Sequence, residues 1–82
     1  MKVEILLFGP QASLAQTDRV WVHLDPDTAT VDHAMDALRK AMPVLAPTLN
    51  ASRLAVNHAY AEQKQLLQAS DEVALIGMVS GG

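Results

Sequence analysis

Apolar and polar positions alternate with a period of two in several short stretches of this chain, and with a helical period in one longer stretch. In residues 2–8 (KVEILLF), Val3, Ile5 and Leu7 share one face while Glu4, Leu6 and Phe8 share the other, which predicts a β-strand. Two apolar residues on the second face imply that it too is partly covered. Gly9-Pro10 ends the strand, because proline lacks the N–H that a ladder needs. Residues 11–18 then read as a loop containing at most a short helical turn. Residues 19–24 (RVWVHL) alternate again, with Val20, Val22 and Leu24 opposed to Trp21 and His23, and predict a second strand antiparallel to the first. Asp25-Pro26-Asp27 stops it.

The period changes over residues 30–42. Val31, Ala34, Met35, Leu38 and Met42 fall on one helical stripe, and Thr30 is placed to cap the N-terminus. Asp32 lies near the positive end of the helix dipole and Arg39-Lys40 near the negative end. Pro43 stops the helix, and residues 44–52 read as an irregular connector. Residues 53–57 (RLAVN) predict a third strand. Asn57-His58 turns it back through residues 59–61 as a short hairpin arm, since Asn tolerates left-handed backbone. Residues 63–70 are polar, with Leu66 and Leu67 as expected anchors. Residues 71–76 (DEVALI) form the last strand, with Val73 and Leu75 on one face.

This order, with the first and last strands side by side at the centre, predicts an α+β fold. One main helix packs across one face of a mixed sheet in a β-grasp (ubiquitin-like) arrangement. The expected organisation is a single domain over residues 1–76 and a flexible tail over 77–82. At 82 residues the chain is too short for two ordinary domains.

Composition removes most chemistry. Without cysteine there is no disulfide, thiolate nucleophile or cysteine-ligated metal. A formal net charge of −3 argues against nucleic acid as a partner. No apolar run approaches the roughly 20 residues that cross a bilayer, and none resembles a signal peptide. The expectation is a soluble, cytoplasmic protein without a membrane partner. His23, His33 and His58 fall on separate elements with no metal-binding spacing, and read as surface residues. Asp25, Asp27, Asp32 and Asp36 read as a solvated face or as a docking patch for a basic partner. Leu6, Phe8 and Trp21 form either a minor second core or an apolar patch that binds a partner.

The glycines are unevenly placed. Of four, three fall in the last six residues: Gly77, Gly81 and Gly82. Two terminal glycines without Cβ atoms make a thin end that an enzyme can thread through a narrow channel to reach the carboxylate. Adenylation by ATP would make that carboxylate an electrophile for a sulfur donor or an amine. The alternative is a frayed terminus with no chemistry.

Four segments resemble the small subunits of molybdopterin synthase, a family of ubiquitin-like sulfur carriers with a β-grasp fold. They are the opening strand ending in Phe8, Thr30-Val31 at the helix start, Leu54-Ala55-Val56-Asn57, and residues 71–76 followed by Val79-Ser80-Gly81-Gly82. The resemblance implies that an E1-like enzyme adenylates Gly82 at the expense of ATP and that a sulfur donor converts it to a thiocarboxylate. The tail would then deliver sulfur to cyclic pyranopterin monophosphate within the large subunit, in a heterotetramer. It implies no bound cofactor and no metal. It makes Gly82 the reactive residue and Gly81, Ser80, Val79, Met78 and Phe8 the partner contacts. A sibling carrier for thiamine thiazole, a binding module and a protein tag are the alternatives. The sequence departs from the family at Gly77-Met78, where two prolines are usual and where Gly77 is expected to loosen the tail.

Overall fold

The computed structural model describes residues 1–78. Strands β1 (Lys2–Leu6), β2 (Arg19–His23), β3 (Ser52–Val56), β4 (Ala59–Tyr60) and β5 (Val73–Gly77) form one mixed sheet in the order β2-β1-β5-β3-β4. Strands β1 and β5 are parallel neighbours at the centre, with Leu6 beside Ala74; every other pair is antiparallel. Helices α1 (Gly9–Ala15), α2 (Val31–Ala41) and α3 (Ala46–Leu49) complete the fold, with a 3₁₀ turn at Pro43–Leu45. The expected mixed β-grasp sheet with one main helix across one face is present.

The period-two alternation determines which face is buried. Val3, Ile5, Val20, Val22, Leu54, Val56, Val73 and Leu75 point inward and meet Val31, Ala34 and Leu38 of α2. Met35 and Met42 are partly buried against this core. Thr30 caps α2 by accepting a hydrogen bond from the His33 N–H at 3.2 Å. Two further free N–H groups of that helix end, on Val31 and Asp32, donate to the carbonyls of Gln65 and Gln63. Among the described residues no helix is long and apolar enough to cross a membrane.

Several expected boundaries shift, each for a local reason. Strand β1 ends at Leu6 rather than Phe8: the Leu7 N–H still donates to the Asp18 carbonyl in the β1–β2 register, but the next residue, Phe8, becomes the extended cap of α1. The expected loop over residues 11–18 is largely that helix. Pro10 suits the first turn, where its missing N–H costs nothing, so Gly9-Pro10 starts a helix as well as ending a strand. Gly9 makes the junction with φ +51°, a conformation that a side chain resists. The connector over residues 44–52 is ordered as the 3₁₀ turn and α3, with Leu45 and Leu49 buried. Of the two expected anchors, Leu67 is buried while Leu66 is exposed; Leu66 is held by its backbone bridge to Thr30. Strand β5 starts at Val73, since Asp71 and Glu72 are engaged by Asn57, and it continues through Gly77 opposite Ser52.

Candidate functional site

Two hollows meet near the end of β5. The first lies on the sheet face away from α2. Leu6, Ala74, Ala55 and Tyr60 are register partners in one row across β1, β5, β3 and β4. The two small alanines in mid-row leave a depression of about 500 Å³ between the larger side chains. Phe8 and Ile76 line one end; His58 and Glu72 line the other. Phe8 and Tyr60 are more than half exposed, so this face is an open apolar surface rather than a second core. Trp21 is not part of the hollow. It sits opposite Glu4 with the Lys2 ammonium 4.8 Å from its ring, and the Arg19–Glu4 ion pair at 3.2 Å lies toward Leu6.

The second hollow, of about 450 Å³, lies where the chain leaves β5. Phe8 and Ile76 line it as well, joined by Pro10, Ala51, Gly77 and Met78. The expected contacts Phe8 and Met78 are thus brought to one groove. The Met78 N–H donates to the Ala51 carbonyl at 2.7 Å, one step beyond the Ser52–Gly77 pair, so the β3–β5 pairing carries on to Met78. Gly77 is therefore part of the sheet, contrary to the loosening expected from its sequence. The remaining predicted site residues, Val79, Ser80, Gly81 and Gly82, lie outside the described residues.

The groove contains a residue that the hydropathy pattern did not reveal. Gln11, on α1, is only 7% exposed, and its amide nitrogen donates to Thr48 Oγ1 at 3.0 Å and to Ser52 Oγ at 2.8 Å. The sequence carries no visible mark for it, since residues 11–18 read as a loop.

The other polar groups have local structural roles. His33 Nδ1 lies 2.8 Å from Thr30 Oγ1, His58 pairs with Glu72 at 2.9 Å, and His23 is exposed on β2. Asp25 Oδ1 accepts from the Asp27 N–H in a tight turn, and Asp36 pairs with Arg39 one helical turn on. Among the described residues no three histidine or acidic side chains gather where a metal ion would sit.

A five-stranded mixed sheet with a single long helix across it defines the chain as a ubiquitin-like β-grasp domain. The ThiS family model matches residues 5–82, and the chain belongs to that family. It is 33% identical to the molybdopterin synthase sulfur carrier subunit of Dictyostelium discoideum over 81 residues, 96% of this chain and 94% of the relative. The small archaeal modifier protein 1 of Haloferax volcanii matches in structure over 100% of both chains, with a TM-score of 0.85 and 32% identity. A chain of the solved complex of subunits 1 and 2 of the Helicobacter pylori molybdopterin-converting factor has the same fold, with a TM-score of 0.67, 22% identity and 100% of both chains covered.

Proposed function

We propose that this chain is the sulfur-carrying small subunit of a cytoplasmic molybdopterin synthase. The observation that carries the reading is the match to the ThiS family over residues 5–82, a span that includes Gly81-Gly82. The Dictyostelium relative supports the choice of pathway. The chemistry is that of the main-chain carboxylate. The carboxylate of Gly82 attacks the α-phosphorus of ATP on an E1-like enzyme and displaces pyrophosphate. A sulfur donor then attacks the acyl carbon, AMP leaves, and sulfur replaces one oxygen as a thiocarboxylate. The sulfur passes to cyclic pyranopterin monophosphate in the large subunit, and two deliveries build the dithiolene. The side chains of this domain supply shape rather than catalysis.

The open face supports the same reading. A subunit that receives the tail covers Phe8 and Met78, and the Ala55–Ala74 depression beside them suits a bulky apolar side chain of that partner. The Helicobacter complex pairs a protein of this fold with a second subunit.

Intact-mass spectrometry after co-expression with an E1-like enzyme and a sulfur source tests the proposal. A gain of about 16 Da, lost on deleting Gly82, is the expected result. No gain, under conditions that load a known carrier, refutes it. A second reading is favoured by the likeness to the archaeal modifier protein: the activated carboxylate is taken by a lysine amine, making this chain a protein tag. Conjugates of higher mass, with no free thiocarboxylate, would select that reading.

A further inference from the structure

The geometry points to Gln11 as the positioning residue of the C-terminal tail: its buried amide holds the point at which the chain leaves the sheet. This rests on the carrier reading and adds to it the residue that aims the tail.

The amide has only one workable orientation. The Thr48 hydroxyl donates to the Leu45 carbonyl at 2.7 Å, and the Ser52 hydroxyl donates to the Thr48 carbonyl at 2.8 Å. Both hydroxyls have committed their protons, so each offers only lone pairs to Gln11. The NH₂ end of the amide must face them, and it does, at 3.0 and 2.8 Å. The carbonyl end is thereby turned to Gly77, where a Cβ would stand 3.5 Å from Oε1. Among the described residues no donor reaches that oxygen.

One side chain thus ties α1, α3 and β3 together directly beneath the last residues of β5. The same turn supplies the Ala51 carbonyl that accepts from Met78. Gly77 has no side chain with which to fix its own place. The hydrogen-bonded clamp through Gln11, Thr48 and Ser52 supplies the restraint from outside. Holding Met78 limits the points from which the following residues can set out, so a larger fraction of the chains is ready to enter an enzyme channel. Apparent affinity scales with that fraction.

The test uses the full chain with Gln11→Met, which keeps the length but removes the amide, and Ser52→Ala, which removes one anchor. Amide hydrogen exchange followed by NMR is the first measurement. The expected result is exchange at Met78 faster by about 3- to 10-fold, the scale of one lost hydrogen bond, with Leu54 and Leu75 unchanged. The second is adenylation kinetics with the E1-like enzyme, where KM for the carrier rises several-fold and kcat stays within about twofold. Unchanged exchange at Met78 overturns the proposal. So does equal acceleration at Leu54 and Leu75, or a fall in kcat with KM unchanged. If Gln11→Met does not fold, Ser52→Ala alone decides. A wild-type chain that takes up no sulfur refutes the carrier reading and leaves the exchange result standing.

Discussion

Asn57 is where one substitution separates side-chain bonding from backbone conformation. Its side chain donates to Asp71 Oδ1 at 3.0 Å and accepts from the Glu72 N–H at 2.9 Å, tying the β3–β4 turn to the start of β5. Its own N–H donates to the Glu72 carbonyl, a bond that any residue except proline would keep. Asn57 also sits at φ 52°, followed by His58 at φ 70°. Asn57→Ala removes both side-chain bonds, each contributing about 0.5–1.5 kcal/mol net at an exposed site. It adds about 1 kcal/mol for an alanine forced into left-handed backbone. The expected loss is therefore about 2–4 kcal/mol, against a total of about 4–12 kcal/mol for a domain of this size. Such a loss lowers Tm by roughly 10–20 °C. Asn57→Gly removes the same bonds without the backbone penalty, so it should be milder than Asn57→Ala by about 1 kcal/mol. Thermal unfolding followed by circular dichroism measures both. A Tm for Asn57→Ala within about 3 °C of wild type refutes the bonding argument, and equal losses for Ala and Gly refute the backbone argument.

Two further substitutions probe the neighbouring sites. Ala74→Arg fills the depression on the open face with a long charged side chain that can reach solvent, so stability should change little. Binding to the large synthase subunit should weaken at least about 30-fold by calorimetry, and an unchanged Kd would remove this face from the interface. Gly77→Ala meets ordinary van der Waals space beside Gln11 and no left-handed backbone. It should stabilise the fold by about 0.4–1 kcal/mol through the unfolded chain, and destabilisation in urea would show that the close approach of Gln11 requires glycine.

The sheet and the main helix were legible because burial imposes a period. Val3, Ile5 and Leu7 all face inward, as do Val73 and Leu75, and the stripe on α2 meets them. Thr30 was legible because few residue types cap a helix well. Helix α1 was not, because GPQASLA is short and carries little amphipathic pattern; its formation rests on Pro10 and on packing along its buried side. The ordered 43–49 segment was missed because its two prolines read as breakers, yet prolines fit first turns. The clamp at Gln11 was invisible for a stronger reason. It depends on hydroxyls 37 and 41 residues away, and no local pattern specifies such a meeting. The Gly-Gly end, by contrast, was legible as sequence and lies outside the described residues.

The position of β5 links the open face to the end that the proposed chemistry uses. The strand lies between β1 and β3, with Asn57 binding the residues that precede it and Ala51 binding Met78 at its far end. It therefore delivers Met78 to a fixed point beside Phe8 and Ile76. Four residues separate Met78 from the terminal carboxylate, and four fully extended residues span at most about 14 Å. Any enzyme that acts on Gly82 must place its catalytic centre within that distance of Met78. On the carrier reading, a protein body that close is within reach of the groove at Phe8 and the adjoining depression over Ala55 and Ala74. On the carrier reading proposed above, the activating enzyme and the large subunit compete for one surface. A carrier occupied by one is withheld from the other until it dissociates, so the domain has to bind each partner reversibly and in turn.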